Sequence, residues 1–501
     1  MEKLKLNQVR MGALISYFAL GINVITGLLY TPWMVRQIGQ SNYGLYSLAT
    51  SLIAIFMLDF GLGSAVSRFV SKYRAESNQE AINSIIGVIY KLYMAIDIVI
   101  LCVLTGVYFF LDVIYVKLTP AELEQFRTLY LMVAAFNLIS FPLSPLNGLL
   151  NAYEKFIQLK ICDLLHKLFT VGLVVVALSV STSVTMVVAA NVASGLITLL
   201  LKFIIVKQKV PVRVNFKAGG KELYKSLFGF TAWTTVISLM QRFTHSFAPS
   251  VLGMTASAVE IAIYSPAVVL EGYYYLLATA VNGLFLPRVS RFIAEGKEDE
   301  ILKLMIKVGK YQIVVLGLIF IGFLCVGQDF MTLWMGPDYA KTYYCALIIL
   351  FPTLISSTQQ IASTTVIAKN LVKYQAKCMT ITGVVGLVIS YALSMFVGSL
   401  GVCIGTAVTA LTNMVYMNTI YYRKAGINVF EFYKKVYLKA VPCYAIVAII
   451  GLIVTRFITF SGWMGLIIKA ATVSVIYLTT LGLLYLSKQD RCAILNRIKK
   501  R

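Results

Sequence analysis

Two stretches of the sequence, far apart along the chain, share a pattern that decides the fold. Residues 61–76 read GLGSAVSRFVSKYRAE, and residues 283–299 read GLFLPRVSRFIAEGKED. The tripeptide SRF occupies 67–69 in the first stretch and 290–292 in the second. Each stretch begins with glycine after an apolar run and ends in charged residues. A pattern that recurs at a fixed offset indicates an internal repeat.

The composition around these stretches is that of a membrane protein. Of the 501 residues, 59% are hydrophobic and only 13% are charged, about half the share of about 25% that is usual in a soluble domain. The apolar residues form fourteen runs, each long enough for a transmembrane helix of about 20 residues. The sequence therefore predicts an all-α polytopic membrane protein. The predicted spans are 11–35, 43–66, 84–111, 128–151, 161–180, 184–206, 226–251, 257–286, 308–330, 342–367, 378–396, 400–422, 437–458 and 463–486.

A second pair of stretches gives the repeat its extent. IGQSNYGLYSLA at 38–49 follows the first span, and LGMTASAVEIAIYSPA at 252–267 follows the seventh with four extra residues. Six spans separate the two copies, so both copies start on the same side of the membrane. We expect two six-helix lobes related by pseudo-twofold symmetry, followed by two further helices. The corresponding domains are 1–215, 216–430 and 431–501.

The basic residues predict the orientation. The formal net charge is +23. With the N-terminus in the cytoplasm, thirty-five of the 44 lysines and arginines lie in cytoplasmic segments and five in outer connections. This asymmetry alternates correctly along the chain, as the positive-inside rule requires. Both termini are therefore predicted to be cytoplasmic, and topology accounts for the basic residues without a nucleic-acid partner.

The motifs resemble those of a known family. The opening RMGALISYFALGINVITGLLYTPWMVRQIGQSNYGLYSLA, the stretch LDFGLGSAVSRFVSKYRAE and the stretch SPLNGLLNAYEKF at 144–156 are similar to the Wzx-type polysaccharide-biosynthesis flippases. These belong to the multidrug/oligosaccharidyl-lipid/polysaccharide (MOP) exporter superfamily. The resemblance implies a MATE-like fold whose two lobes face a central cavity. It also implies alternating-access transport of an undecaprenyl-diphosphate-linked oligosaccharide from the cytoplasmic to the outer leaflet of a bacterial cytoplasmic membrane.

Such a substrate needs polar and cationic groups at membrane depth, where ionisable residues are costly and usually functional. Arg242 and His245 lie three residues apart on the seventh span, Glu271 lies in the eighth, and Asp97 lies in the third. We take these residues, with Lys91 and Tyr274, as candidate cavity residues. Arg242 is a candidate for binding the diphosphate or for pairing with Glu271.

The remaining candidates lie near the cytoplasmic side. Asp59 and Lys91 share a depth on consecutive spans and form a candidate structural or gating pair. The basic residues after the second and eighth spans, in matching places of the repeat, are candidates for capturing the diphosphate or for contacting anionic lipid headgroups. They are Arg68, Lys72, Arg288 and Arg291.

Enzymatic chemistry is not predicted. There is no Walker A loop, and no pair of the eight cysteines has metal-ligand spacing, so neither a catalytic residue nor a metal or cofactor is expected. Coupling to Na⁺ or H⁺ stays open. Expected partners are the lipid-linked glycan and anionic membrane lipid, with the polysaccharide polymerase and ligase machinery as further candidates. Two alternative functions stay open: an ion-coupled drug/cation antiporter of the MATE type, and a lipid II-type flippase.

Overall fold

The computed structural model of the chain describes residues 21–56, 60–217, 235–243, 246–279 and 285–485. Over these ranges the ordered elements are all helical. In the first half they are α1 (21–38), α2 (Gln40–Phe56), α3 (Leu62–Ala75), α4 (Gln79–Phe109), α5 (Leu111–Ile114), α6 (Pro120–Ser140), α7 (Pro145–Ala152), α8 (Phe156–Val180), α9 (Val184–Lys209), α10 (235–243) and α11 (Ala248–Thr255).

The second half contains ten further helices. They are α12 (Ala258–Thr279), α13 (Leu286–Ala294), α14 (Glu298–Trp334), α15 (Ala340–Ser357), α16 (Gln360–Ala368), α17 (Val372–Val397), α18 (Ser399–Arg423), α19 (Val429–Val436), α20 (Ala440–Phe457) and α21 (Gly462–Thr480). A π-helical turn at Leu481–Tyr485 extends α21.

Among the described residues, eleven helices are long and apolar enough to cross a membrane. They coincide with eleven of the fourteen predicted spans. The other three predicted spans, 11–35, 43–66 and 226–251, each contain residues outside the described ranges and stay predictions. Large apolar side chains on these helices are exposed, such as Ile98 at 62% and Phe396 at 84%. Exposed apolar surface on helices of this length is what a lipid environment accepts.

Two predicted spans are less continuous than the sequence indicated. The predicted helix 128–151 is interrupted by a 3-10 turn at Phe141–Leu143, because Pro142 and Pro145 cannot donate the backbone hydrogen bonds that a continuous helix needs. The predicted helix 342–367 ends at Ser357 and resumes at Gln360. In both copies of the predicted repeat a short helix therefore follows a break.

The chain divides into two compact units, with the boundary between Ala262 and Ile263. In unit 1, α3 packs on α4 and α7, α6 packs on α4 and α9, and α8 packs on α7 and α9. In unit 2, α13 packs on α14 and α16, α15 packs on α14 and α18, and α17 packs on α16 and α18. These contacts of α3, α6 and α8 in the first unit correspond to those of α13, α15 and α17 in the second, in the same chain order.

The α17–α18 hairpin shows how small residues hold these helices together. Gly398 adopts a positive φ of 59° at the turn, a conformation that favours glycine. A Cβ on Gly405 would lie 2.7 Å from the Ser390 backbone nitrogen, so only glycine allows the two helices this approach. Close packing through small residues stabilises helix pairs in lipid, where burial of apolar surface contributes little.

The two C-terminal helices are part of unit 2. The core of this unit includes Phe432 on α19, Val447 on α20 and Tyr477 on α21, all fully buried. The Tyr477 hydroxyl donates a 2.8 Å hydrogen bond to the Val314 carbonyl of α14. The helices that follow the predicted second lobe therefore pack directly on α14.

Candidate functional site

The two motifs in unit 1 meet at the contact between α3 and α7. The SRF stretch forms α3, and the stretch at 144–156 forms α7 and the turn after it. A Cβ on Gly148 would lie 2.7 Å from the Gly63 carbonyl oxygen and 2.8 Å from the Val66 Cβ. The Ser67 hydroxyl donates a 3.1 Å hydrogen bond to the Gly148 carbonyl. Gly148 on α7 therefore allows α3 to pack closely, because any larger side chain at this position would clash with α3.

Arg74 fastens the far end of this contact. Its guanidinium lies 4.4 Å from the centre of the Tyr153 ring, a cation–π distance, and donates a hydrogen bond to the Ala152 carbonyl. Burial raises the pKa of the Tyr153 phenol, although the nearby Arg74 charge opposes that shift. The phenol is therefore neutral at physiological pH, and Arg74 serves the helix contact.

The other basic residues of α3 point outward. Arg68 and Lys72 are exposed. The Lys72 ammonium lies 3.8 Å from Glu76, and both side chains are about half exposed or more, so this ion pair contributes little. Lys72 is therefore able to exchange Glu76 for an anionic group in solution or at a membrane surface.

The corresponding helix in unit 2 also presents its arginines to the surface. Arg288 and Arg291 are exposed on α13, and α13 packs on the short helix α16 as α3 packs on α7. The Arg291 Nε lies 3.9 Å from a Glu295 oxygen, and Lys297 donates a 2.8 Å hydrogen bond to the same carboxylate. The Lys297 hydrogen bond holds the pKa of Glu295 below its usual value. The predicted equivalence of the two basic segments thus extends to their packing partners.

Glu271 is a buried carboxyl group of unit 2. It is 8% exposed, and its Oε1 accepts a 3.0 Å hydrogen bond from the Thr353 hydroxyl of α15. Both helices carry a proline nearby, Pro266 in α12 and Pro352 in α15. A proline inside a helix leaves one carbonyl without its intrahelical donor and favours a kink. The Glu271–Thr353 hydrogen bond therefore joins α12 and α15 close to the prolines that interrupt their backbone hydrogen bonding.

Tyr274, the middle one of three consecutive tyrosines at 273–275, is packed inside unit 2. Tyr274 is 2% exposed, and its hydroxyl donates a 3.0 Å hydrogen bond to the Leu316 carbonyl of α14. Tyr275, its neighbour, is 47% exposed. A cavity-lining role for Tyr274 stays a prediction; in this conformation the ring fixes α12 against α14.

Of the five predicted cavity or gating residues between 59 and 245, the structure describes three. Asp97 is half-buried on α4, and its Oδ1 has no hydrogen-bond partner among the described residues. Lys91 is half-buried one and a half turns earlier on the same helix. Arg242 is exposed on α10. Asp59 and His245 lie outside the described residues.

The two predicted ion pairs stay predictions. The Asp59–Lys91 pair includes a residue outside the described ranges, and the Arg242–Glu271 pair spans the two units. Glu271 has a hydrogen-bond donor of its own unit in Thr353.

A buried polar network, which the sequence did not predict, lies at the break between α15 and α16. The Gln359 amide, 3% exposed, donates to Asn418 Oδ1 at 2.9 Å and to the Tyr433 hydroxyl at 2.8 Å. The Thr358 and Tyr437 hydroxyls share a 2.6 Å hydrogen bond. The network joins α18 and α19 to the point where the predicted span is broken. The only signal in the sequence was the polar sequence at 356–360 inside an otherwise apolar run.

The fold places the protein in a class of known membrane proteins. Its structure is similar to a solved structure of the lipid II flippase MurJ in an inward closed conformation, with a TM-score of 0.72 and 14% identity, over 98% of this chain and 100% of that one. An inward-facing MATE-family multidrug resistance transporter of the MOP superfamily matches with a TM-score of 0.67 and 12% identity, over 82% of this chain and 98% of that one. The protein is an all-α polytopic membrane protein with the MurJ and MATE fold.

The family is shown by the sequence itself. Residues 9–285, more than half of the chain, match the model of the polysaccharide biosynthesis protein family, and the chain belongs to that family. It is also 22% identical over 492 residues to the uncharacterized membrane protein EpsK of Bacillus subtilis (strain 168), with 96% of each chain covered. The resemblance expected from the motifs is confirmed. The chain is thus a membrane protein of the polysaccharide biosynthesis family that has the fold of the MurJ and MATE structures.

Proposed function

We propose that the protein flips undecaprenyl-diphosphate-linked oligosaccharide repeat units, precursors of O-antigen, capsule or exopolysaccharide, from the cytoplasmic to the outer leaflet. The observation that carries the proposal is the match of the whole chain to a lipid II flippase fold, in a chain that belongs to the polysaccharide biosynthesis family. The membrane would be a bacterial cytoplasmic (inner) membrane, in keeping with the Bacillus relative.

The corresponding helix contacts of the two units support alternating access. A pseudo-twofold arrangement of six-helix lobes, 1–215 and 216–430, with 431–501 appended, is the architecture that such contacts favour. In this architecture the cavity between the lobes opens to one leaflet at a time. The distribution of lysine and arginine supports placing both termini in the cytoplasm.

The candidate residues divide by chemistry. Exposed cations at the cytoplasmic ends of the repeats would capture the diphosphate, since arginine binds phosphate oxygens in a bidentate way. Deeper polar groups would line the cavity or hold its walls. The capture residues are Arg68, Lys72, Arg288 and Arg291, and the deeper residues are Arg242, His245, Glu271, Lys91, Asp97 and Tyr274, with Asp59 as gating partner of Lys91.

A drug/cation antiporter is the main alternative, and two observations favour it. Asp97 has an unpartnered carboxylate oxygen among the described residues, and Glu271 is buried, which are features suited to a cation. Against it, two MATE structures cover 82% and 87% of the chain, whereas the MurJ structure covers 98%. A lipid II-type flippase is the second alternative, and the two flippase functions differ in the headgroup carried.

The test uses a bacterial strain that lacks the gene. We expect lipid-linked oligosaccharide to accumulate, surface polysaccharide to be lost, and sensitivity to cationic dyes to stay unchanged. Unchanged glycolipid with raised dye sensitivity would contradict the proposal and favour the antiporter. Accumulated lipid II with arrested growth would favour a lipid II-type flippase.

Variants then assign the diphosphate role. Arg242→Ala should abolish complementation while the protein still inserts in the membrane, and Arg242→Lys should restore part of it. Lys207→Ala, on the exposed end of α9, is the matched control and should complement fully. If Arg242 only pairs with Glu271, the double variant Arg242→Gln with Glu271→Gln should complement where Arg242→Ala does not.

A further inference from the structure

A cavity of about 450 Å³ lies in unit 2 at the start of the long helix α14. It is formed where α14 meets α19 and the end of the turn after α21. The residues that line it are Lys303, Ile306, Lys307, Lys310, Tyr311, Lys435 and Tyr485. None of them belongs to the candidate residues of the transport site.

The charge of this lysine cavity is strongly positive. Lys303 donates a 2.7 Å hydrogen bond to Glu300, and Lys435 donates a 2.6 Å hydrogen bond to Glu431. Lys307 and Lys310 have no carboxylate partner within the described part of the chain. The four ammonium groups outnumber Glu300, Glu431 and the nearby Asp299, which also interacts with Lys303, so a surplus of positive charge remains. A concave site with this surplus favours an anion that carries one or two negative charges.

The position of the lysine cavity along α14 corresponds to the headgroup level of a bilayer. The helix has 37 residues and is about 55 Å long, well beyond the hydrocarbon core of about 30 Å. Lys303, Lys307 and Lys310 lie in its polar first turns, before the apolar stretch that begins at Tyr311. Tyr311 and Tyr485 stand where tyrosines of an interfacial aromatic belt are expected.

An exposed apolar stripe continues from the lysines along α14. Lys303, Lys307, Tyr311, Val315 and Ile319 follow one another at intervals of four residues, so each is a neighbour of the next in a row that winds slowly around the helix. The last three are 48%, 56% and 37% exposed. Cations at one end of an exposed apolar stripe match a molecule with an anionic head and a hydrocarbon chain. A soluble anion would need only the cationic end.

We propose that the lysine cavity binds the phosphate headgroup of an anionic membrane lipid, with a hydrocarbon chain of that lipid along the stripe Tyr311, Val315 and Ile319. The site shares no residue with the candidate transport residues, and the proposal does not depend on the proposed flippase function. Lipid bound here would hold α14, α19 and the end of α21 together, since each of them contributes to the cavity.

The test measures lipid binding to the purified full-length protein. Native mass spectrometry counts bound phosphatidylglycerol, with phosphatidylcholine as the zwitterionic comparison. The double variant Lys307→Gln with Lys310→Gln should weaken phosphatidylglycerol binding at least fivefold. Lys207→Gln with Lys209→Gln removes the same charge from an exposed helix end without a cavity, and should weaken it less than twofold.

Two further experiments distinguish a lipid headgroup from a soluble phosphate as the bound anion. Val315→Gln should weaken binding of phosphatidylglycerol while leaving the thermal stability of the lipid-free protein unchanged. Inorganic pyrophosphate at the same concentration should not displace the lipid. Equal losses in the two lysine double variants would overturn the proposal, because the attraction would then be general. Displacement by pyrophosphate, or unchanged binding in Val315→Gln, would overturn the assignment to a lipid.

Discussion

The α17–α18 hairpin offers the sharpest test of how this fold is held together. Gly386 on α17 faces Thr409 on α18. A Cβ on Gly386 would lie 2.7 Å from the Thr409 Cβ and 3.0 Å from its methyl carbon, and closer still to its hydroxyl oxygen. Because both branches of the threonine are near, no rotation of its side chain clears the space. The substitution Gly386→Ala therefore forces the two helices apart.

The size of the effect follows from this geometry. Carbon atoms pack at about 3.5–4.0 Å, so the helices must separate by roughly 1 Å at this point. A gap of that size forfeits a quarter to a half of the dispersion energy of the facing atoms. Overpacking of this kind typically costs about 1–3 kcal/mol. We expect Gly386→Ala to lower the free energy of unfolding by about 2 kcal/mol.

A double-mutant cycle isolates the contact. Thr409→Gly removes the facing side chain, and it costs only about 0.3–0.5 kcal/mol of helix propensity because threonine is itself a poor helix former. The double variant Gly386→Ala with Thr409→Gly should be more stable than the sum of the single effects, with a coupling of at least 1 kcal/mol. Unfolding would be followed by circular dichroism as dodecyl sulfate is added to the purified protein in mixed micelles.

Gly322→Ala is the matched control. Gly322 lies inside α14, and a Cβ there would meet nothing within 4 Å. This substitution should leave stability unchanged or raise it by up to about 1 kcal/mol, because alanine favours the helix. If Gly386→Ala behaved like the control, or if the cycle showed no coupling, the close contact between α17 and α18 would be refuted.

Three further predictions concern polar contacts. Thr353→Val should lower thermal stability by about 1–2 kcal/mol, because the buried Glu271 carboxyl loses its donor, whereas Thr353→Ser should not. Lys469→Met should cost more stability than the double variant Lys469→Met with Asp329→Leu, because the single change leaves Asp329 without its 2.7 Å partner in an apolar helix; thermal melting in detergent compares them. Arg74→Ala should speed proteolysis of the α3–α7 contact several-fold, while Arg74→Lys should give an intermediate rate since it keeps the charge but not the planar guanidinium; equal rates for all three proteins would contradict a structural role.

Several features of the fold could be predicted from the pattern of residues alone. Apolar runs of about 20 residues predict spanning helices, because backbone groups in lipid must bond within their own segment. Eleven of these predictions are confirmed among the described residues. The SRF repeat predicted matching segments, and α3 and α13 indeed pack on matching short helices. Local sequence sufficed here because a helix in a membrane depends mainly on its own residues.

The candidate site was predicted less completely. Glu271 stood out as a carboxyl group in an apolar run, but its partner Thr353 is an ordinary threonine at a distance of 82 residues along the chain. The Gln359 network joins residues 359, 418 and 433. Nothing in a single sequence indicates which polar residues of different helices share a depth and a face. Tyr274 shows the same limit, since its burial against α14 is set by helix rotation.

The class of this protein could be predicted from its residues alone, with its helices, the two-copy pattern and the family to which it belongs. Those properties follow from hydropathy and local motifs, which act within one segment of chain. Which side chains meet depends on how the helices pack. Gly148 meets α3, Thr353 meets Glu271, and the lysines of α14 meet Lys435 of α19. These contacts depend on the rotation and separation of whole helices, and small residues such as Gly405 set that separation through atoms on both partners.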